Sequence, residues 1–137
     1  MKNIIIDASF VLGALLSSEG KAADVFRKIF NEQESKKTKI YSTSFLPLET
    51  ANGLRFSLKD QNLTEEIFSK FALLKIEYFT LNNQQVQNVL SMSYNFSTTV
   101  YDTTYHFLAK LLRGEFYTCD GEYFQKAEKE GNIVLVK

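Results

Sequence analysis

Several residue types are nearly absent from this 137-residue chain, which has one cysteine, one proline, one histidine and no tryptophan. The lone Cys119 cannot form an internal disulfide or a zinc site of several thiolates, which excludes a disulfide scaffold and favours a reducing compartment. No stretch rich in proline, glycine or serine marks a linker, and Pro47 stands alone. We therefore expect a single cytoplasmic domain that spans residues 1–137.

Net charge and long apolar runs are also missing. The 16 basic residues balance 16 acidic residues, so the chain as a whole does not attract nucleic acid or anionic membranes. Asp7 divides the apolar run after Lys2 into pieces too short for a signal-peptide core, and no apolar stretch is long enough to span a bilayer. We expect no membrane partner, and a polyanionic ligand must be held locally or through a metal ion.

What is present is an ordinary globular composition, with 45% hydrophobic and 23% charged residues. Short apolar runs alternate with longer segments of helical period, which is typical of an α/β domain built on a parallel sheet. The aromatic residues recur at helical spacing, so we interpret them as core or interface residues and not as base-stacking platforms. About six or seven helices accompany five predicted strands, at residues 3–6, 39–41, 78–80, 115–119 and 133–136.

Local signals predict where several helices begin and end. Asn62 with Glu65, and Asn82 with Gln85, match the capping-box pattern at a helix amino terminus. Gly114 is placed to end the helix that precedes the fourth strand.

Two acids follow predicted strands directly. Asp7 comes after the β-branched residues 4–6, and Asp120 comes after residues 116–119. Because the carboxyl ends of parallel strands meet at one edge of a sheet, where open α/β sheets bind ligands, we expect both carboxylates at that edge.

Glu49 lies in a helix that is predicted to begin at hydroxyl caps in residues 42–44 and to run to about Lys59, with Pro47 in its first turn. Within this helix the face that we expect to be buried contains Phe45, Glu49, Asn52 and Phe56. A carboxylate on a buried face needs a reason, and a binding site would supply one.

Asp102 lies in the first turn of another helix, whose apolar stripe consists of Tyr101, Tyr105, Leu108 and Leu112. We expect Tyr101 to help anchor this helix in the core. His106, the only histidine, follows one helical turn later and is expected to be a structural or surface residue and not a catalytic one, since carboxylate-based metal chemistry needs no imidazole.

Each acid also has a structural interpretation. Asp7 and Asp120 suit helix N-caps, and Asp102 suits the positive end of a helix dipole. Taken together, four acids at one edge would repel one another and raise each other's pKa unless a cation offsets them. Oxygen ligands without a histidine or cysteine cluster favour Mg²⁺ or Mn²⁺ over zinc, and such a site suits phosphodiester hydrolysis.

Four short segments resemble the PIN-domain family, and within it most closely the VapC-type toxins of prokaryotic toxin–antitoxin pairs. They are residues 4–9 (IIIDAS), 47–49 (PLE), 101–105 (YDTTY) and 117–120 (YTCD), in this order and over essentially the whole chain. Two positions depart from the family pattern: Thr103 stands where alanine is usual, and Arg113 stands where leucine commonly precedes glycine.

The resemblance implies a PIN-like three-layer α/β/α fold with a central five-stranded parallel sheet. It implies a Mg²⁺- or Mn²⁺-dependent endoribonuclease that is usually dimeric and is held inactive by a VapB-like antitoxin. Carried over by position, it makes Asp7, Glu49, Asp102 and Asp120 the metal-binding and catalytic acids, with Ser9 and Thr118 as supporting hydroxyls.

Basic residues near the acids are candidates for contacts with RNA phosphates, and we single out Arg55 and Lys59. Cys119 is expected to be a small buried residue and not a nucleophile. These assignments are predictions from sequence position alone.

Other functions remain open at this point. A PIN domain that serves RNA processing, and a catalytically silent module that binds RNA or protein, would both carry the same four acids. A receiver-like signalling domain also places acids at strand ends, but it needs a second acid beside the first and a late lysine. A haloacid-dehalogenase-type phosphatase needs another aspartate two residues after Asp7, where Ser9 stands.

Overall fold

A computed structural model describes residues 1–137 and shows that strands alternate with helices along the chain. The strands are β1 (Lys2–Ile6), β2 (Thr38–Thr43), β3 (Glu77–Phe79), β4 (Glu115–Thr118) and β5 (Ile133–Leu135). The helices are α1 (Ala8–Leu15), α2 (Lys21–Glu34), α3 (Leu46–Ser57), α4 (Gln61–Ala72), α5 (Asn83–Phe96), α6 (Val100–Leu111) and α7 (Gly121–Ala127), which a 3₁₀ turn (Glu128–Glu130) follows.

The five strands form one parallel sheet in the order β3-β2-β1-β4-β5. Strand β1 is central, and its Ile5 lies opposite Tyr41 of β2 and Phe116 of β4. Ile4, Ile5 and Ile6 are all fully buried. Because successive side chains of a strand point to opposite faces, helices must cover both faces of the sheet. The predicted three-layer architecture is therefore confirmed.

Helix α6 brings the site to the sheet. Its Tyr105, Leu108 and Ala109 are buried in the main core cluster, and the helix packs across β1, β2 and β4. No helix combines the length and the apolar character that crossing a membrane requires.

The prediction for the start of helix α3 was wrong. Residues 42 and 43 still belong to β2, and the cap residue Phe45 makes no side-chain hydrogen bond. Ser42 instead donates its hydroxyl to the carbonyl of Ile6 at 2.6 Å, which ties β2 to β1. Pro47 does lie in the first turn.

The predicted buried face of α3 was also wrong. The helix buries Leu46, Thr50 and Leu54, while Phe56 is 79% exposed. The reason lies in the approach of α1, since a Cβ atom at Gly53 would collide with Leu12 of that helix. The close contact turns the face that contains Gly53 and Leu54 inward.

Two of the other helix ends differ from the sequence prediction. Helix α4 is capped by Asp60, which accepts from the Leu63 N–H, and not by Asn62. Arg113, with φ 52°, adopts the left-handed conformation after α6, while Gly114 is needed because a Cβ there would overlap the backbone of Asn3. The capping box of Asn82 and Gln85 is confirmed.

Candidate active site at the carboxyl edge of the sheet

Asp7 is the most buried acid of the site. It caps α1, and its Oδ1 accepts from the Phe10 N–H at 2.9 Å and from the Ser9 hydroxyl at 2.8 Å. Its Oδ2 accepts from the Thr118 hydroxyl at 2.6 Å. These donors fix the orientation of the carboxylate between β1 and β4.

The two hydroxyls that donate to Asp7 also connect it to the end of β4. Ser9 Oγ accepts from the Cys119 N–H and Thr118 Oγ1 accepts from the Asp120 N–H, each at 3.0 Å. The two hydroxyl oxygens lie 3.1 Å apart. The structure thus places Ser9 and Thr118 where they hold Asp7 and the backbone that leads to Asp120 in one network.

Asp120 and Asp102 both lie at helix amino termini. Asp120 caps α7 by accepting from the Tyr123 N–H at 3.0 Å. Asp102 lies in the first turn of α6, where its own N–H donates to the cap residue Thr99 at 3.1 Å. The structural interpretation of both acids is therefore correct, and the positive ends of two helix dipoles face the same region as Asp7.

Asp102 and Asp120 also line one cavity of about 340 Å³. Lys126 contributes a cation to its wall, held by the Ser97 carbonyl at 3.2 Å and by Glu122 at 3.5 Å. Sequence reasoning missed Lys126, because nothing in the linear pattern shows that α7 turns this residue toward Asp102.

Glu49 reaches the edge from α3 and is held by a tyrosine. The phenol of Tyr105, in the core face of α6, donates to Glu49 Oε1. Burial and the neighbouring Glu49 raise the pKa of Tyr105 far above its usual range, so the phenol remains a proton donor. The role of Tyr105 was hidden in the sequence, where it reads as an ordinary member of an apolar stripe.

The electrostatics agree with a crowded acidic site. Burial, with a smaller contribution from the charge of Asp102, raises the pKa of Asp7 from 3.8 to about 7 despite the hydrogen bonds from Thr118, Phe10 and Ser9. The pKa of Glu49 is raised by burial and by Asp102, and that of Asp102 by burial and by Asp120. A nearby cation would lower all three.

The structure does not contain a ready-made metal centre. No group of three or more aspartate, glutamate, histidine or cysteine side chains is arranged so that it could hold a metal ion. The donor chemistry nevertheless fits a hard divalent cation, since four carboxylates without a histidine or cysteine supply the candidate ligands, and burial and neighbouring acids raise the pKa of three of them.

The remaining predicted residues lie elsewhere. Arg55 and Lys59 are exposed and line a groove between α3 and α4 that contains none of the four acids. His106 is buried, with its ring nitrogens 2.9 Å from the Tyr123 hydroxyl and 2.7 Å from the Gly131 carbonyl, in keeping with a structural role. Burial raises the pKa of Cys119 to about 11, so its thiol is a poor nucleophile.

Comparison with known proteins gives a likeness of fold. No protein-family model matches the chain, and a search of curated protein sequences finds no significant match. Among solved structures, VapC20 from Mycobacterium tuberculosis, described as a sarcin-ricin loop cleaving toxin, is 13% identical with a TM-score of 0.66, over 98% of this chain and 99% of that chain.

Two further structures are similar. VapBC2 from Rickettsia felis, bound to a DNA fragment from its promoter, is 11% identical with a TM-score of 0.67, over 97% of this chain and 96% of that chain. PAE2754 from Pyrobaculum aerophilum is 22% identical with a TM-score of 0.61, over 91% of this chain and 86% of that chain. The chain therefore has the fold of these proteins over nearly its whole length.

Proposed function

We propose that this chain is a PIN-domain endoribonuclease that hydrolyses RNA phosphodiester bonds with Mg²⁺ or Mn²⁺, and that it is the toxin of a VapBC-type toxin–antitoxin pair. The observation that carries the proposal is that Asp102 interacts electrostatically with Asp7, Glu49 and Asp120, which come from separate elements of the fold. A structure of the same fold is described as a toxin that cleaves the sarcin-ricin loop, which supports RNA as the substrate class.

The four acids are the residues that would hold the cation. A bound divalent ion would supply a more acidic water and would offset charge on the phosphate. Burial and, to a smaller extent, a neighbouring acid raise the pKa of three of these residues, and a bound cation would favour their charged form.

The other residues of the site would orient the acids or bind an RNA phosphate. Ser9 and Thr118 keep the Asp7 carboxylate oriented, and the phenol of Tyr105 does the same for Glu49. Lys126 and the amino termini of α6 and α7 present positive charge and N–H groups on the side where an RNA phosphate would lie. This local positive charge would attract an RNA phosphate although the chain as a whole carries no net charge.

The proposed partners are an antitoxin and a second copy of the chain. The VapBC2 structure is a complex, which supports an antitoxin partner for a protein of this fold. Leu48 and Phe56 on α3 are 76% and 79% exposed, and large exposed apolar side chains of this kind favour burial by a partner.

The test is a titration with Mn²⁺ or Mg²⁺, followed by thermal melts and by RNA cleavage, on wild type, Asp7→Asn and Asp60→Asn. Both substitutions replace an N-cap aspartate by asparagine, which also caps well, but Asp60 caps α4, where its carboxylate accepts from the Leu63 N–H, and it is not one of the candidate metal ligands. We expect metal stabilisation and cleavage in wild type and Asp60→Asn, and neither in Asp7→Asn. Full cleavage by a folded Asp7→Asn protein would contradict the proposal.

A catalytically silent module that binds RNA or protein is the second candidate. The lack of a ready-made group of metal ligands favours it. It predicts no metal stabilisation and no cleavage by wild type, with binding retained. A role in RNA processing predicts cleavage without growth arrest when the protein is expressed alone.

The receiver-like alternative fits the structure poorly. Receiver and flavodoxin-like sheets have the strand order 2-1-3-4-5, whereas here the order is β3-β2-β1-β4-β5. The acids also come from α3 and α6 as well as from strand ends.

A further inference from the structure

A second cavity opens at the carboxyl edge of the sheet, and its chemistry differs from that of the acidic cavity. It has a volume of about 430 Å³ and lies beyond β2 and β3, where α5 and α6 meet the sheet. Every residue that lines it is uncharged. Most of its wall comes from residues 78–101, a stretch without a single charged side chain in a chain that is 23% charged.

Aromatic rings form one wall of this cavity. Phe45, Phe79 and Tyr101 line it, and Tyr101 remains 63% exposed. The Tyr101 ring packs edge-on against Phe45, with centroids 5.3 Å apart and planes at 85°. Phe45 in turn packs against Tyr105, with centroids 5.5 Å apart. The exposed ring is therefore held by packing and is not a loose surface side chain.

Hydroxyl groups supply the polar part of the lining. Ser44 and Thr80 are exposed residues of the cavity wall. Thr43 is buried, and its hydroxyl has no hydrogen-bond partner, although it lies near enough to the Tyr105 phenol to lower the pKa of that phenol. A ligand with both a flat apolar face and neutral polar edges matches such a lining.

The first turn of α6 lies between the uncharged cavity and the acidic cavity. Thr99 and Asp102 line the acidic cavity, whereas Val100 and Tyr101 line the uncharged one. The Cα atoms of consecutive residues are about 3.8 Å apart. The two cavities therefore flank one helix end, and an RNA strand that crosses this end would have a phosphate on the Asp102 side and a base on the Tyr101 side.

The lining decides among possible occupants. A metal ion would require carboxylates, and a phosphate is bound best where a cation is present, but this cavity has no charged side chain. Val100 and Tyr101 at the amino terminus of α6 line it without such a cation. An unpaired nucleobase is flat, neutral and rich in hydrogen-bonding edges, and single-stranded RNA is recognised by stacking on aromatic side chains.

We propose that the cavity beside Tyr101 is a nucleobase subsite, which receives an unstacked base next to the scissile phosphate of a single-stranded RNA. The subsite rests on the proposed ribonuclease function, whose substrate it would select. Tyr101 is the stacking residue, and Ser44 and Thr80 are the groups that contact the base edge.

The experiment combines removal of the ring with removal of the base. A short RNA that wild type cleaves is compared with two versions in which the nucleotide on one or the other side of the scissile bond is abasic. The enzymes are wild type, Tyr101→Ala, Tyr101→Phe and the matched control Tyr94→Ala, since Tyr94 is 79% exposed on α5 and does not line the cavity. Thermal melts verify that each variant is folded.

We expect Tyr101→Ala to lower kcat/KM on the intact RNA by about 5- to 150-fold, the range measured for loss of base stacking. Tyr101→Phe, which keeps the ring, and Tyr94→Ala should remain near wild type. On one of the abasic substrates wild type should fall to the level of Tyr101→Ala, and the substitution should have no further effect there.

Binding separates the subsite from the ribonuclease proposal. Anisotropy of a labelled RNA is measured in the Asp7→Asn background, with and without Tyr101→Ala or Tyr94→Ala. Binding that depends on Tyr101, in a protein whose wild type does not cleave RNA, would overturn the ribonuclease function while supporting the cavity as a nucleobase site. Cleavage by wild type with equal losses in Tyr101→Ala and Tyr94→Ala would overturn the subsite alone.

Two further outcomes would also overturn the subsite. A loss in Tyr101→Ala that persists in full on both abasic substrates would show that the ring acts on something other than a neighbouring base. A change in oligomeric state or in antitoxin binding with unchanged RNA binding would assign the cavity to a protein interface.

Discussion

Two strands of the sheet end in a buried threonine, and the two threonines have opposite surroundings. Thr118 ends β4, and its hydroxyl donates to Asp7 and accepts from the Asp120 N–H. Thr43 ends β2, and its hydroxyl has no hydrogen-bond partner. We call the part of the edge around Asp7, Asp102 and Asp120 the charged side, and the part lined by Phe45, Phe79 and Tyr101 the uncharged side.

The contrast shows that a place at the carboxyl edge is not enough to make a charged site. On the charged side, N–H groups at helix amino termini and two hydroxyls donate to the carboxylates of Asp7 and Asp120, which lowers the free energy of keeping acids there. On the uncharged side, helix α5 runs alongside with its apolar Val86 and Val89. The first turn of α6 divides the two, with Asp102 on one side and Tyr101 on the other.

The largest expected effect comes from neutralising an acid of the charged side. Asp102→Asn should lower RNA cleavage by at least about a hundredfold, since metal-assisted charge stabilisation contributes several kcal/mol. Glu122→Gln is the matched control, because Glu122 lines the same cavity but its side chain is 83% exposed. Both variants are measured with one RNA and one metal ion. Equal cleavage by the two would contradict the assignment of Asp102, and not of Glu122, as an acid that the reaction requires.

The charged side should also make stability depend on pH in the metal-free protein. The pKa of Asp7 is about 7 in the folded chain, against an ordinary value of 3.8. Between these values the folded protein keeps a proton that the unfolded chain has lost, so the free energy of unfolding falls as pH rises from about 4 to about 7. Above pH 7 this contribution stays constant.

Urea unfolding in the presence of a chelator measures this dependence. The loss attributable to Asp7 has an upper bound of about 4 kcal/mol. Burial lowers the pKa of His106 and so acts in the opposite direction, which is why the difference between wild type and Asp7→Asn is the quantity to compare. The same slope in both proteins would mean that Asp7 is not the group that titrates.

Thr118→Val tests the hydrogen-bond network on the charged side. The substitution removes a donor to Asp7 and an acceptor of the Asp120 N–H while it keeps the shape of the side chain. An unsatisfied buried group costs about 1–3 kcal/mol, so we expect a loss of stability in that range at neutral pH. An unchanged urea midpoint would show that the network contributes no net stability.

The sequence predicted the strands well, because a buried parallel strand is a continuous apolar run. Residues 3–6 fall within β1, and Asp7 follows it as expected. The same logic placed Asp120 after β4. Acids at strand ends are predictable since the sheet itself brings them together.

Helix faces were harder to predict, because packing partners decide them. The stripe through Phe45, Glu49 and Phe56 has the right period, yet α1 packs against the face of α3 that contains Gly53. Tyr101 was expected in the core, but it is 63% exposed and lines a cavity. Periodicity gives the width of an apolar face but not the element that will cover it.

The hydrogen bond between Tyr105 and Glu49 had no signal in a single sequence. The two residues lie 56 positions apart, and no sequence motif links them as a hydrogen-bonded pair. The absence of charge in residues 78–101 was readable, but only the structure shows that this stretch walls a cavity next to the acids.

The smallest effect is expected from Thr43→Val, the counterpart of Thr118→Val on the uncharged side. Here the substitution replaces a buried hydroxyl without a hydrogen-bond partner by a methyl group, so the desolvation penalty of that hydroxyl disappears. We expect the free energy of unfolding to rise by up to about 1 kcal/mol, in urea titrations run beside those of Thr118→Val. If Thr43→Val instead destabilises the protein as much as Thr118→Val does, the Thr43 hydroxyl is bonded to the Tyr105 phenol, and the hydrogen bonds of the charged side extend to the end of β2.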